Sequence, residues 1–274
     1  MGHDKLRKFA ENETFSCLLQ PSAQELLADG YFHLRDHAVK GHWNERFGNS
    51  NPIVLELGCG KGEYTIALAE RDPERNYIGV DIKGARLWKG AKYATEHALP
   101  NVAFLRTRVE FITAFFAPGE VSEVWLTFSD PQYRSENSRL CSPLFLERYR
   151  SFLKPGGIVH LKTDSRFLHE YARAVCAANN LQVLACTQDL YGDCRCGIQP
   201  VVTEVQTFYE QLFLQQGYPI TYLSFVIDHE GPYVSPSDPE QFDSKAWRAA
   251  EGPRLLFGHD SAETRRQKLH AAEE

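Results

Sequence analysis

Three glycines set two apart, Gly58-Cys59-Gly60-Lys61-Gly62, follow the apolar run Val54-Leu55-Glu56-Leu57, and an acid, Asp81, stands nineteen residues past the last of them. Glycines permit a sharp turn and let a ligand approach the main chain with no Cβ in the way. An acid ending the next strand can accept hydrogen bonds from both ribose hydroxyls of a nucleoside-containing cofactor lying across that turn. The spacing is G-x-G-x-G, whereas dinucleotide sites use G-x-G-x-x-G, and Glu63 occupies the place of their third glycine. A carboxylate at a helix start repels a pyrophosphate, and Glu56 inside the strand suits a cationic ligand. S-adenosylmethionine carries a ribose, a sulfonium and an amino-acid head but no phosphate. It fits Gly58, Gly60, Glu56 and Asp81 better than a nicotinamide dinucleotide does, and the two acids argue against a ligand-free turn.

A second cluster, Thr127-Phe128-Ser129-Asp130-Pro131-Gln132-Tyr133-Arg134, follows a fourth apolar run. In an open α/β sheet the carboxyl end of such a strand is where a second substrate meets the cofactor. Proline fixes its own φ and restricts the residue before it, which would hold the Asp130 carboxylate rigidly. Taken alone, the residues read equally well as an Asx turn that ends the strand. Other reactive side chains form no such pattern. Cys176, Cys186, Cys194 and Cys196 are spaced C-x9-C-x7-C-x-C, which matches no zinc site, and the ten histidines are dispersed. No metal is expected, and the seven cysteines read as reduced thiols. Trp88, Trp125 and Trp247 read as packing residues.

The elements that must position these groups alternate. Apolar β-rich runs at 53–57, 76–82, 102–107, 123–128, 158–162, 182–186 and 221–227 are separated by amphipathic stretches at 64–71, 85–97, 143–153 and 166–178. This predicts an α/β fold with a mostly parallel, seven-stranded sheet and helices on both faces. Pro155-Gly156-Gly157 reads as a turn between a helix ending at Leu153 and the strand after it. Residues 1–50 form an N-terminal extension expected to be disordered in part at its start, residues 51–227 the catalytic domain, and residues 228–274 an appendage. That appendage holds ten acids and six bases, −4 of the whole chain's net −6. No apolar run reaches the roughly 18 residues of a membrane helix, and no signal peptide is evident, so a cytoplasmic protein is expected.

Over roughly residues 5–226 the chain resembles the bacterial tRNA (guanine-N7-)-methyltransferase family, a branch of the Rossmann-like class I S-adenosylmethionine-dependent methyltransferases. The resemblance rests on Leu55-Glu56-Leu57-Gly58-Cys59-Gly60-Lys61-Gly62, Ile78-Gly79-Val80-Asp81, Phe128-Ser129-Asp130-Pro131, Leu161-Lys162-Thr163-Asp164 and Thr207-Phe208-Tyr209-Glu210. It implies that Glu56 and Asp81 contact the cofactor and that Asp130, beside both cofactor and base, is the catalytic carboxylate. It also implies that Arg134, Asp164, Thr207, Phe208, Tyr209 and Glu210 hold tRNA, the methyl group going to N7 of a guanine in the variable loop. The chain departs from the family at several places: Ser129 and Gln132 replace a proline and a tryptophan, and Arg134 replaces a lysine. Arg108 stands where an adenine-contacting aspartate is usual, leaving that contact to its main chain or to Glu110. The basic run after the motif is thinned to Arg134 and Arg139 around Glu136. Lys83, Arg86, Lys89 and Lys92, with Lys162, Arg166 and Arg173, are the cations that would meet phosphates or else form solvated helix faces.

Two other functions remain open on the residues. Asp130-Pro131-Gln132-Tyr133 is one residue from the Asp-Pro-Pro-Tyr motif of methyltransferases acting on exocyclic or amide nitrogens. A non-catalytic RNA-binding protein on the same fold is the other. The sequence is compatible with a monomer or a homodimer.

Overall fold

Ile53-Val54-Leu55-Glu56-Leu57 is buried along its whole length, as a strand covered on both faces must be. It is the second of eight strands in a computed structural model that describes residues 2–27, 33–193, 197–238 and 240–251. The strands are β1 (Leu18–Leu19), β2 (Ile53–Leu57), β3 (Asn76–Asp81), β4 (Val102–Arg106), β5 (Val121–Thr127), β6 (Leu153–Thr163), β7 (Val183–Thr187) and β8 (Thr221–Val226). The α-helices are α1 (Gly2–Asn12), α2 (Ala23–Leu26), α3 (Trp43–Phe47), α4 (Glu63–Arg71), α5 (Gly84–Glu96), α6 (Pro143–Arg150), α7 (Arg166–Ala178), α8 (Pro200–Glu204), α9 (Phe208–Gln215) and α10 (Ser244–Glu251). Among the described residues no helix is long and apolar enough to cross a membrane.

The strand order is β1-β4-β3-β2-β5-β6-β8-β7, parallel except where β8 runs against β6 and β7. Successive strands leave β2 in opposite directions, β3 and β4 to one side and β5 and β6 to the other, which opens a crevice at the carboxyl ends of β2 and β5. Alternation along each strand divides the core in two. Leu55, Leu57, Val80, Leu126 and Leu161 pack with Phe145 and Phe167 on one face, while Val54, Tyr77, Phe104 and Trp125 pack with Tyr64 and Leu87 on the other.

Three features differ from the sequence reading. The eighth strand, β1, pairs Leu18 with Phe104 and Leu19 with Leu105, and two residues are too short to show a period. The chain's start is helical because it has a partner. The α1 helix lies on α5, the Asn12 amide donates to the Gly84 carbonyl (3.0 Å), and the Trp88 indole donates to Glu11 (2.7 Å) with Arg7 and Lys8 over its ring. Finally, α6 stops at Arg150, and Pro155-Gly156-Gly157 lies inside β6. Leu153 already pairs with Val121 before the register jumps to Glu123–Ile158, and Gly156, at φ +73°, makes the excursion.

The Phe104 ring on β4 takes the space that side chains facing it from α5 and the start of α4 would need, and glycine leaves it free. A Cβ at Gly90, inside α5, would lie 2.6 Å from the Phe104 ring and 2.8 Å from the Lys61 carbonyl. Helix propensity alone would make Gly90→Ala more stable by about 1 kcal/mol. The overlap reverses the sign, so urea denaturation should find the variant less stable by about 1–3 kcal/mol.

Candidate active site

The turn after β2 is built on left-handed backbone: Gly58, Gly60 and Gly62 have φ of +79°, +58° and +72°. The Gly58 and Cys59 amides donate to the Val80 carbonyl at 2.8 and 3.0 Å, drawing the turn onto the end of β3. A Cβ on Gly58 or Gly60 would meet nothing within 4 Å, whereas one on Gly62 would lie 2.5 Å from Phe104. The first two glycines therefore leave the main chain open to a ligand, and the third serves helix packing. Asp81 ends β3 beside them. One of its oxygens accepts the Gly60 amide (3.0 Å) and the other the Lys83 amide (2.7 Å). Each oxygen keeps acceptor capacity for a ribose hydroxyl. A cavity of about 400 Å³ continues from there, lined by Ile82, Thr107, Arg108, Phe111, Ser22 and Leu26. Arg108 lines this cavity, its guanidinium 3.5 Å from Glu110. The open glycines, the ribose-competent acid and this cavity fit an adenosine-bearing cofactor.

Glu56 lies beneath the turn and is almost wholly buried. One carboxylate oxygen accepts the Thr65 amide (2.8 Å) and the Thr65 hydroxyl, and the other accepts the Thr127 hydroxyl. A single side chain thereby joins β2, the start of α4 and the end of β5. Burial raises its pKa to about 7, the two threonine hydroxyls opposing that rise. Thr65 and Thr127, which the sequence reading passed over, are what enclose the acid.

Because β2 and β5 are parallel neighbours, the segment after Thr127 stands beside the glycine turn. Asp130 is exposed, and its carboxylate accepts the Gln132 amide (2.9 Å), so the segment is an Asx turn and a rigidly held carboxylate at once. Phe128 and Gln132, on either side, have φ of +49° and +48°, a conformation costing non-glycine residues on the order of 1–3 kcal/mol each. Two anchors hold it. The Phe128 amide donates to the Lys162 carbonyl (2.9 Å), and Arg139 donates to the carbonyls of Gln132 (3.3 Å) and Tyr133 (3.2 Å). Arg139 was expected among the RNA-facing cations. It is buried instead, its guanidinium over the rings of Phe167 and Tyr171, because the strained loop needs its donors. Arg134 is exposed.

The substrate block at residues 207–210 divides likewise. Thr207 caps α9 in a reciprocal capping box with Glu210. Glu210 is fully buried, 2.7 Å from the Lys162 ammonium and accepting the Tyr191 hydroxyl (2.6 Å). Lys162 also donates to the carbonyls of Val202 (2.6 Å) and Val205 (2.9 Å). Burial pulls the Lys162 pKa down while Glu210 opposes it. This corrects two expectations: Lys162 is no phosphate-binding cation, and Glu210 holds α9 in place instead of presenting its carboxylate to RNA. A buried ammonium requires that partner. Phe208 faces outward and Tyr209 is partly buried against the core, with Lys61 over both rings (5.4 and 6.0 Å), and the Phe208 amide donates to Glu63 (3.0 Å). Asp164, half-exposed, follows β6 and precedes Ser165, the N-cap of α7.

The five described cysteines are free thiols, while Cys194 and Cys196 lie outside the described residues. No cluster of metal-ligating side chains occurs among the described residues.

The strand order, with its antiparallel β8, is that of a Rossmann-like class I methyltransferase. The 16S rRNA methyltransferase KamB, 15% identical, has this fold, with a TM-score of 0.52 over 71% of this chain and 96% of its own. A protein-family model described as a putative methyltransferase matches residues 50–223. The tRNA (guanine-N(7)-)-methyltransferase of Christiangramia forsetii is 50% identical over 228 residues, 82% of this chain and 98% of its own. That of Bacteroides thetaiotaomicron is 46% identical over 237 residues, 86% and 90% of the two chains. The chain belongs to the tRNA (guanine-N(7)-)-methyltransferase family.

Two stability measurements follow from the buried groups. Glu210→Ala leaves the Lys162 ammonium enclosed without its counter-charge and should cost about 3–5 kcal/mol in chemical denaturation. Glu56 titrates near pH 7 when folded and near its ordinary 4.5 when unfolded. Its stabilising contribution is therefore complete below about pH 4.5 and lost as pH rises through 7. Glu56→Gln removes that titration. Relative to wild type, the variant should gain on the order of 2 kcal/mol between pH 5 and pH 8. A pH-independent difference would show that Glu56 is ionised throughout.

Proposed function

We propose that the protein transfers a methyl group from S-adenosylmethionine to N7 of a guanine in the variable loop of tRNA. The observation that carries this reading is the rigid, exposed Asp130 carboxylate placed by β5 beside the open glycine turn of β2. When bound, the cofactor supplies a methyl group activated on a sulfonium. Gly58 and Gly60 admit it to the main chain, and Asp81 accepts from its ribose. Arg108 lines its nucleoside cavity, Glu56 holds the turn from below, and Asp130 reaches it from the facing lip.

Guanine N7 is an acceptor exposed on the major-groove edge of the base, and its lone pair attacks without prior deprotonation. The protein needs no general base. Asp130 accepts hydrogen bonds from the N–H groups of the guanine and favours the positive charge that develops on the purine. The remaining acceleration comes from holding N7 in line with the methyl group. Arg134, Asp164, Phe208 and Tyr209 are the tRNA-facing residues. Thr207 and Glu210 act by fixing α9. The exposed cations Lys83, Arg86 and Arg166 extend the tRNA surface, whereas Lys89 and Arg173 are paired with Glu63 and Glu170. On this reading residues 51–227 are the catalytic domain, 1–50 and 228–274 flank it, and the enzyme acts without metal in the cytoplasm as a monomer or homodimer.

The Asp-Pro-Pro-Tyr alternative needs Tyr133 to stack on the substrate. Its ring instead packs on Phe167 (4.7 Å) and its hydroxyl is given to Glu251, which favours N7 transfer. The test uses unmodified tRNA, S-adenosylmethionine and purified protein, with nucleosides identified by mass spectrometry. Wild type should produce 7-methylguanosine. Asp130→Asn should lose roughly 100-fold or more in turnover while donor affinity stays within about twofold. A different methylated nucleoside, or full turnover in the variant, would overturn the assignment.

A further inference from the structure

The Tyr133 hydroxyl, three residues beyond Asp130, donates to Glu251, which lies past residue 223, where the family match ends. The same carboxylate accepts the Phe167 amide at 2.7 Å and the Ser165 hydroxyl at 3.2 Å. Ser165 follows Asp164 directly. One side chain from the C-terminal helix thus touches both loops that form the substrate side of the crevice.

We propose that Glu251 is a positioning residue for tRNA methylation: its carboxylate locks the Asp130 lip and the Asp164 loop into one geometry. The inference rests on the function proposed above. Capping of α7 does not by itself account for these contacts, because the Ser165 side chain already accepts the Leu168 amide (3.2 Å). Glu251 adds the Phe167 amide, where the positive end of the helix dipole favours a carboxylate, and then reaches across to Tyr133. The helix that carries it is seated by aromatic packing. Trp247 meets Phe167 edge-on (5.7 Å), the Arg248 guanidinium lies over Tyr133 (5.3 Å), and the neighbouring Phe242 packs on Phe167 (6.2 Å) and Tyr171 (5.4 Å). Tyr133 and Phe167 stack on each other within this assembly. None of these groups touches the glycine turn or Asp81. The clamp should therefore govern tRNA handling and leave donor binding alone.

The experiment measures kcat and KM for tRNA and the donor dissociation constant for full-length wild type, Glu251→Ala, Glu251→Gln, Tyr133→Phe and the Glu251→Ala/Tyr133→Phe double variant. A lip displaced by about 1 Å costs on the order of 100-fold. Glu251→Ala should lower kcat/KM for tRNA about 10–100-fold with donor affinity unchanged. Glu251→Gln, whose amide oxygen still accepts the Phe167 amide while its NH2 donates to the Tyr133 hydroxyl oxygen, should recover most of it. Tyr133→Phe should be impaired alone and add little to Glu251→Ala. Wild-type kcat/KM in Glu251→Ala, a loss shared in full by Glu251→Gln, or donor affinity falling in parallel would overturn the proposal. If wild type makes no 7-methylguanosine, the functional reading fails separately. Amide exchange over residues 129–135 then decides on the clamp: faster exchange in Glu251→Ala and Tyr133→Phe with Glu251→Gln near wild type upholds it, and unchanged exchange in Glu251→Ala or exchange equally fast in Glu251→Gln overturns it.

Discussion

An ammonium with no exposure to water has to be met by charge and carbonyls from the protein, and Lys162 is such a group. Its partners come from outside the sheet: Glu210 on α9 and the carbonyls of Val202 and Val205 at α8. Satisfying them folds the whole segment from α8 to α9 onto the end of β6. That placement sets Phe208 and Tyr209 beside Lys61, Phe208 turned outward, and it lets Glu63 at the head of α4 take the Phe208 amide. On its other side, the Lys162 carbonyl holds the Phe128 amide and so the start of the Asp130 lip. The segments that carry Asp130 and Phe208 thus meet at Lys162, one through its carbonyl and the other through its neutralised ammonium.

A strained backbone persists only where its surroundings over-determine it. Phe128 and Gln132 both occupy left-handed φ, and between them lies the exposed carboxylate. Lys162 restrains the first through its carbonyl, and Arg139 restrains the second through its guanidinium. Two of the departures from the family pattern, Ser129 and Gln132, fall in this stretch. Gln132 adopts the left-handed conformation itself, while Ser129 keeps a buried hydroxyl with no partner among the described residues.

The sheet, its main helices, the glycine turn and the Asp130 motif could be read from sequence, because hydrophobic period and glycine spacing report backbone geometry directly. Burial of long polar side chains could not. Lys162, Arg139 and Glu210 look like surface charges in a one-dimensional reading, since nothing in their neighbours' identity reveals the carbonyls and partner charges that enclose them. The two-residue β1 was below the length at which alternation can be seen. Glu251 carried no signal at all: it is one of ten acids in a polar tail, and only the fold brings it to Tyr133, 118 residues earlier in the chain.

That separation has a temporal side. Synthesis runs from the amino end, and domains generally fold in the order they emerge. The strands around the glycine turn are complete by Thr127, and β3 pairs with β2 and β4 across short stretches of sequence. The contact from Glu251 to Tyr133 closes a loop of more than a hundred residues and waits for α10. Among the described elements α10 is the last to emerge from synthesis, so the Glu251 brace on the segment after Asp130 is the last of these contacts a nascent chain can close.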